Sequence, residues 1–156
     1  MKSEHTTTLS LNEVILNRLK KMDFMTNAVK NFFPNAKHKL ITSRNIVDPE
    51  LGNCYERIGY FYLPFGMPII YTHAKISLDK AKEELIEELK EQKIPFGELL
   101  RAHYPNSNIG SQTIYFKEKI VLPDCYKDIT AEKFVSKHER YILIDGEKIA
   151  IAIEYI

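Results

Sequence analysis

Arg57 and Glu154 are charged residues in segments whose surrounding sequence is typical of buried β-strands. In the last segment of the chain, Ala150, Ala152 and Glu154 alternate with isoleucines, so these three residues share one face of a strand. Two alanines beside a carboxylate leave space on that face, which a helix or a ligand could fill. The isoleucines predict that the other face of the strand is buried against a core.

The segment around Arg57 shows a similar pattern. Tyr55, Arg57, Gly59 and Phe61 occupy alternate positions and therefore share one face of a predicted strand. A glycine inside a strand weakens it and often marks the close approach of another group. If this face and that of Glu154 line the same cavity, the cavity contains a fixed cation and a carboxylate at separate points.

This pair of residue types is suited to binding a small anion. An arginine guanidinium binds a carboxylate through two parallel charge-assisted hydrogen bonds. A buried glutamate such as Glu154 can accept a hydrogen bond or a proton from a ligand hydroxyl, and burial raises its pKa. The alternative interpretation is structural, with Arg57 and Glu154 pairing with each other or with solvent.

The sequence argues against several other chemistries. The five histidines and two cysteines show no H-E-x-x-H, H-x-x-x-H or C-x-x-C spacing, so we expect no metal site. Neither G-x-G-x-x-G nor a P-loop occurs, which argues against a dinucleotide or a nucleoside triphosphate as ligand. The net charge of +1 argues against nucleic acid or an anionic membrane as a partner.

Length and composition predict one domain in a reducing compartment. The 156 residues include 44% hydrophobic residues, which is ordinary for a single domain spanning residues 1–156, with residues 1–9 flexible. No apolar run approaches the roughly 18 residues that could cross a bilayer, and the polar first residues lack the apolar core of a signal peptide. We therefore expect a cytoplasmic protein.

Local patterns predict an α+β fold. Helical signals are a capping box at residues 10–13 with apolar positions behind it, further helices at 25–33, 77–92 and 94–100, and a helical turn at 131–137. Strands are predicted at 37–47, 54–63, 67–77, 111–122, 140–145 and 148–155, the last two joined by a turn at Asp145-Gly146. Strands in runs joined by turns indicate one antiparallel sheet with helices packed on it.

Four blocks of the sequence, in order, resemble the chorismate pyruvate-lyase (4-hydroxybenzoate synthase) family, including its divergent prokaryotic branch. Residues 23–26 resemble its D-x-M-T segment, and Arg57 with the strand and hairpin after it resembles its R-E-x-x-L region. Residues 94–100 resemble its P-[LI]-G-x-x-L turn, and residues 140–154 resemble its closing hairpin, which ends in a glutamate.

The resemblance implies an enzyme that eliminates pyruvate from chorismate and leaves 4-hydroxybenzoate without a cofactor. It implies that Arg57 binds the ring carboxylate and that Glu154 meets the oxygen that becomes the phenol, which makes these two the catalytic residues. Main-chain N–H groups of Met25 and Phe96 bind the substrate, and Gly97 allows close approach. The implied chorismate lyase-like fold is a sheet whose flaps cover an internal ligand cavity.

Two alternatives to an enzyme remain open. The family's sheet also resembles the effector-binding module of some transcription regulators, which bind small ligands without converting them. The chain is then a non-catalytic module that binds an aromatic or cyclic carboxylate. In the other alternative, the chain is an interaction protein whose side chains fill the space around Arg57 and Glu154.

Overall fold

One antiparallel sheet forms the body of the molecule. The computed structural model describes residues 29, 31–91, 95–131 and 134–156. The six strands lie in the order β1-β2-β3-β6-β5-β4. They are β1 (Lys37–Asp48), β2 (Gly52–Tyr62), β3 (Pro68–Ser77), β4 (Ile109–Val121), β5 (Phe134–Ile144) and β6 (Glu147–Tyr155), and the two α-helices are α1 (Glu83–Glu91) and α2 (Phe96–His103). The predicted α+β class with a single antiparallel sheet is confirmed.

The turns follow from local chemistry. Asp145 and Gly146 both have positive φ angles, of 50° and 84°, as a two-residue type I′ hairpin requires. In the β1–β2 turn, a carboxylate oxygen of Asp48 accepts the backbone N–H groups of Glu50 and Leu51 at 2.9 and 3.0 Å. Both turns join strands that are neighbours in the sheet, as the sequence predicts.

Helices α1 and α2 cover one face of the sheet, which we call the helix face. The predicted inner positions Leu85 and Leu89 of α1 are fully buried there, together with Leu99 and Leu100 of α2. Fully buried Ala150 of β6 lies beneath the helices. The small residues of β6 thus make room for helices, which is one of the two occupants that the sequence predicts.

Helix α1 begins later than predicted. Residues 78–80 form a turn in which the hydroxyl of Ser77 accepts the backbone N–H of Lys80 at 3.1 Å. The helix itself begins only at Glu83. Ser77 therefore caps a turn, because a serine oxygen can accept an N–H three residues on in a turn as well as in a helix.

The opposite face of the sheet is covered by the segment between β4 and β5. Tyr126 of this segment is buried, and its hydroxyl donates a hydrogen bond to the backbone oxygen of Thr72 at 2.7 Å. Ile151 and Ile153 of β6 are buried in the same cluster as Tyr126. The prediction that Ile149, Ile151 and Ile153 share one buried face is therefore correct for Ile151 and Ile153 and wrong for Ile149, which is buried in the cluster beneath the helices.

The helical turn predicted at residues 131–137 is wrong, because β5 already begins at Phe134. Ser136 and Ile156 exchange two backbone hydrogen bonds of 2.9 Å, and Lys137 pairs with Tyr155. Val135 is buried on the opposite face. Pairing with β4 and β6 satisfies the backbone of this segment on both sides, and such tertiary pairing overrides a weak local helix preference.

Several predictions fall outside the described residues. These are the flexible residues 1–9, the helix after residues 10–13, and the block 23–26 that contains Met25. Of the helix predicted at 25–33, Val29 and residues 31–32 are helical.

In the described part of the chain, no helix is long and apolar enough to cross a membrane. Cys54 is buried and Cys125 is exposed, and neither forms a disulfide.

Candidate functional site

Strand register places two arginines at the ends of one cross-strand row on the helix face. Arg57 of β2 pairs with Ala74 of β3, Ala74 pairs with Ala152 of β6, and Ala152 pairs with Arg140 of β5. Neighbouring strands lie about 4.8 Å apart, so the two arginine Cα atoms are separated by roughly 14 Å. The two alanines between them form a floor that carries almost no side-chain volume.

A cavity of about 70 Å³ lies above this floor. By the same measure of volume, one water molecule needs roughly 10–15 Å³. The cavity is therefore several times larger than the space that one bound water requires. The neighbouring row of paired residues also lines it: Gly59, Thr72, Glu154 and His138 follow one another across β2, β3, β6 and β5, and all except His138 line the cavity.

The first turn of α2 closes the cavity from above. Pro95, Phe96, Gly97 and Leu100 border it opposite the sheet. Pro95 precedes the helix with extended backbone angles, and its carbonyl oxygen accepts the N–H groups of the third and fourth helical residues. The N–H groups of the first helical residues have no acceptor within the helix itself, so they point toward the helix N-terminal end.

Glu154 is held by Arg140 at one end of the cavity. Nε and Nη2 of Arg140 both donate to Oε1 of Glu154, at 3.1 and 2.9 Å. Arg140 Nη1 also lies 3.5 Å from the hydroxyl of Ser111. Arg140 is 1% exposed and Glu154 is 2% exposed, so this ion pair is almost completely removed from water. Its geometry is therefore fixed by the protein rather than by solvent.

The second carboxylate oxygen of Glu154, Oε2, has no hydrogen-bond partner among the described residues. Nδ1 of His138 lies 4.0 Å from this oxygen. Burial raises the pKa of Glu154 above its usual value, although the charge and hydrogen bonds of Arg140 act in the opposite direction. Because a buried carboxylate oxygen rarely lacks a partner, Oε2 is a candidate hydrogen-bond acceptor for a ligand.

Arg57 is the cation at the other end of the cavity and is 4% exposed. Burial lowers the pKa of Arg57 below its usual value. An arginine nevertheless stays protonated at neutral pH, because its ordinary pKa exceeds 12. The guanidinium of Arg57 therefore lines one end of the cavity, and the Arg140–Glu154 pair lines the other.

His38 of β1 lies over Gly59 at the Arg57 end of the cavity. Its Nε2 is 3.3 Å from the hydroxyl oxygen of Thr72, and its ring contacts that of Phe61. A Cβ atom on Gly59 would lie 2.8 Å from the His38 ring and 2.6 Å from the backbone oxygen of Lys39. The close approach that the sequence predicts at Gly59 is therefore present, and the approaching groups belong to the protein.

Burial, together with the charge of Arg57, lowers the pKa of His38 to about 4. The ring is therefore neutral at neutral pH, and it adds no positive charge to the cavity. In the described part of the chain, no three side chains of metal-ligating type come together.

The structure brings four of the five predicted site residues around one cavity: Arg57, Phe96, Gly97 and Glu154. The fifth, Met25, lies outside the described residues. Arg57 and Glu154 are on the same side of the sheet, two strands apart. The alternative that they pair with each other is wrong for Glu154, whose ion pair is with Arg140.

Sequence reasoning missed Arg140, and the β5–β6 hairpin explains why. Next to the turn, Ile144 pairs with Glu147. If this register continued without interruption, Arg140 would lie opposite Ile151 and its side chain would be on the face away from Glu154, because side chains alternate along a strand.

A β-bulge at Ile149 changes the register. Beyond it, Arg140 pairs with Ala152 instead of the residue before it, and its side chain lies on the same face as that of Glu154. No glycine or turn residue marks this bulge in the sequence. The signal that could have found Arg140 is its own type, since it is an arginine within the apolar strand segment that pairs with the Glu154 strand.

Comparison with known proteins yields structural similarity alone. No family model matches the chain, and no curated protein matches it in sequence. A GntR-family transcriptional regulator from Bacillus cereus has a similar structure, with a TM-score of 0.58, 16% identity, and coverage of 78% of this chain and 90% of that one.

Two further structures are similar. One is the ligand-binding domain of a protein assigned to the GntR family of regulators from Bordetella bronchiseptica (TM-score 0.55, 11% identity, 77% and 84% coverage of the two chains). The other is YydK from Bacillus subtilis, described as a possible transcriptional regulator (TM-score 0.57, 13% identity, 78% and 58% coverage). At these identities, the similarities establish the fold alone.

These findings correct the expected family. The assignment to the chorismate pyruvate-lyase family is wrong, because no family model supports it and the similar structures are regulator domains. Two of the four blocks behind the resemblance include local structure of a common kind, the Asp145-Gly146 hairpin turn and the start of α2.

Proposed function

We propose that this chain is a non-catalytic module that binds a small aromatic or cyclic carboxylate. The observation that carries the proposal is a cavity between the sheet and α2 with the buried guanidinium of Arg57 in its lining. A bound carboxylate would form charge-assisted hydrogen bonds with this guanidinium.

The remainder of the lining is suited to a ring. Phe61, Phe96, Leu100 and Ile142 supply apolar surface around the alanine floor. Ligand sites are commonly apolar cavities in which a few polar groups set the orientation of the ligand. The N–H groups at the start of α2, at Phe96 and Gly97, have no acceptor within the helix and are further candidate donors beside the cavity for an anionic group.

Binding without catalysis is supported by two observations. Oε1 of Glu154 accepts two hydrogen bonds from Arg140. This arrangement favours a role as a fixed hydrogen-bond acceptor over a role in proton transfer. A similar solved structure is described as a ligand-binding domain of a regulator. A soluble small molecule is thus the proposed partner of this chain.

Calorimetric titration with benzoate tests the proposal. Wild-type protein is expected to bind benzoate, and Arg57→Met is expected to reduce the affinity about tenfold or more, since a hydrogen bond to a charged group contributes about 1.5–3 kcal/mol. Arg101→Met is the matched control, because Arg101 is exposed on α2 and does not line the cavity. The proposal is wrong if the wild type does not bind, or if both variants bind equally well.

A turnover assay separates binding from catalysis. Purified protein incubated with chorismate is expected to release no pyruvate above the uncatalysed rate. Pyruvate release that saturates with chorismate and disappears in Glu154→Gln would contradict a non-catalytic module.

A further inference from the structure

We infer that Ala74 and Ala152 are specificity-determining residues: they keep the space between the sheet and α2 open but thin, so that it accepts a flat ring and excludes a thicker one. This inference rests on the proposed function, because it concerns the shape of the same ligand in the same cavity. It decides between the two classes that the proposed function leaves open, an aromatic ring and a saturated ring.

Three alanines on the helix face differ in what covers them. Ala150 and Ala152 lie on the same face of β6, and Ala74 of β3 pairs with Ala152. Ala150 is 0% exposed in the core beneath the helices. Ala74 and Ala152 are only partly buried, although β3 and β6 are the two central strands of the sheet. Both line the cavity, so their uncovered surface borders the cavity and not a packed neighbour.

The open part of the floor is confined to these two alanines. Gly59 also lacks a side chain, but the His38 ring occupies the space above it, 2.8 Å from where a Cβ atom would lie. Larger apolar side chains border the floor on both sides, Phe61 on β2 and Ile142 on β5. A single Cβ atom at each alanine is therefore all that stands between the backbone of the central strands and the cavity.

The cavity lies between two layers of structure. The sheet is the lower layer at the two alanines, and α2 is the upper layer, with Phe96 and Leu100 in the cavity lining. The volume of about 70 Å³ corresponds to roughly five to seven water molecules, which suits one small ring. The height of the floor residues sets how thick that ring can be.

Ring shape decides the fit between the two layers. An aromatic ring has two flat apolar faces, so it can contact the alanine floor and the apolar side chains of α2 at the same time. The C–H bonds of a saturated ring project above and below its mean plane and need a wider gap. Because protein interiors are close-packed, extra thickness forces strained side chains or shifts of the backbone.

Titration of the wild type with benzoate and cyclohexanecarboxylate at neutral pH tests this inference. Both probes carry one carboxylate on a six-membered carbon ring. Burial of apolar area alone predicts that the saturated ring, with more hydrogens, binds at least as tightly. We expect benzoate to bind about tenfold more tightly or more, as overpacking by the thicker ring predicts.

Raising the floor is the second test. Ala74→Val and Ala152→Val each add two methyl groups where the structure has open space. We expect benzoate affinity to fall about tenfold or more in each variant. The urea midpoint of unfolding is expected to stay equal or rise, because the added methyl groups fill an apolar space.

Two further alanines provide matched controls. Ala150→Val is the same substitution on the same strand face in the packed core, and it is expected to lower the urea midpoint. Ala102→Val lies on the exposed side of α2 outside the cavity, and it is expected to keep the wild-type affinity for benzoate.

The outcomes distinguish the two proposals. A wild type that binds neither probe overturns the proposed function and this inference with it. A wild type that binds both probes equally, or prefers cyclohexanecarboxylate, overturns the inference alone. Wild-type affinity for benzoate in both floor variants does the same, and so does a fall of their urea midpoints as large as that of Ala150→Val, since it would mean that the floor is packed.

Discussion

At the scale of single residues, the charge at each end of the cavity depends on which ionisable groups are protonated. His38 lies beside Arg57, and burial with the Arg57 charge lowers its pKa to about 4. The neutral ring leaves Arg57 as the cation at its end of the cavity. Had His38 been protonated, two adjacent buried cations would have destabilised the fold.

This histidine predicts a pH dependence of stability. In the unfolded chain His38 has its ordinary pKa of 6.5, whereas in the folded protein the pKa is about 4. The unfolded state therefore binds more protons between these values, and the free energy of unfolding falls as the pH drops from 6.5 toward 4. For this residue the loss is at most about 3 kcal/mol.

Urea unfolding of wild type and His38→Gln at several pH values measures this effect. Since glutamine does not titrate, the variant is expected to lose less stability than the wild type between pH 6.5 and 4, and the difference isolates His38 from the other titrating groups. Parallel losses in the two proteins would mean that His38 is readily protonated in the folded state.

At the scale of elements, the β5–β6 hairpin decides the composition of the site. Its turn at Asp145-Gly146 was predicted from the sequence, since the positive φ angles of a type I′ turn select such residues. The bulge at Ile149 was not predicted, although it brings Arg140 onto the face of Glu154. A bulge depends on how both strands pack on their neighbours, and no local sequence preference encodes that.

Two glycines that both have open space around them allow the effect of backbone conformation on stability to be measured apart from steric crowding. A Cβ atom on Gly146 or on Gly110 would meet no atom within 4 Å, but only Gly146 has a positive φ, of 84°. We expect Gly146→Ala to lower the free energy of unfolding by about 1 kcal/mol, because an L-residue is strained in the left-handed region. Gly110→Ala, the control, is expected to be neutral or slightly stabilising.

Chemical denaturation of the two variants measures the difference. If Gly146→Ala and Gly110→Ala change the free energy of unfolding equally, the strain explanation for the hairpin turn is wrong.

At the scale of the whole molecule, the sheet separates two different interiors. The helix face holds the cavity with Arg57, Arg140 and Glu154, whereas Tyr126, Ile151 and Ile153 are buried together on the opposite face. Because α2 closes the cavity, a ligand would contact both the sheet and a helix. Ligand binding is therefore expected to stabilise the folded state as a whole.

Thermal unfolding with benzoate tests this coupling. A ligand at one hundred times its dissociation constant adds about 2.7 kcal/mol to the free energy of unfolding. For a chain of this length the expected rise in Tm is roughly 5 °C or more. With about tenfold weaker binding, Arg57→Met should show about half of this rise at the same benzoate concentration, and Arg101→Met should show the full rise. An equal rise in both variants would place the benzoate elsewhere.

Much of the fold, and four residues of the candidate site, could be predicted from the sequence. Period-two alternation placed Arg57 and Gly59 on one strand face, and Ala152 and Glu154 on another, because alternation is a local property of extended backbone. The limits of β5 could not be predicted, since the backbone groups of residues 134–137 are satisfied by strands distant in sequence.

The sequence by itself determined the antiparallel α+β architecture and the presence of a cation and a carboxylate on strand faces with space beside them. Only the tertiary structure decided that Arg140 is the partner of Glu154 and that α2 closes the space into a cavity. The physical reason is that strand periodicity and turn chemistry act between near neighbours in the chain, whereas ion pairing and enclosure depend on the register between strands and on which helix packs over them.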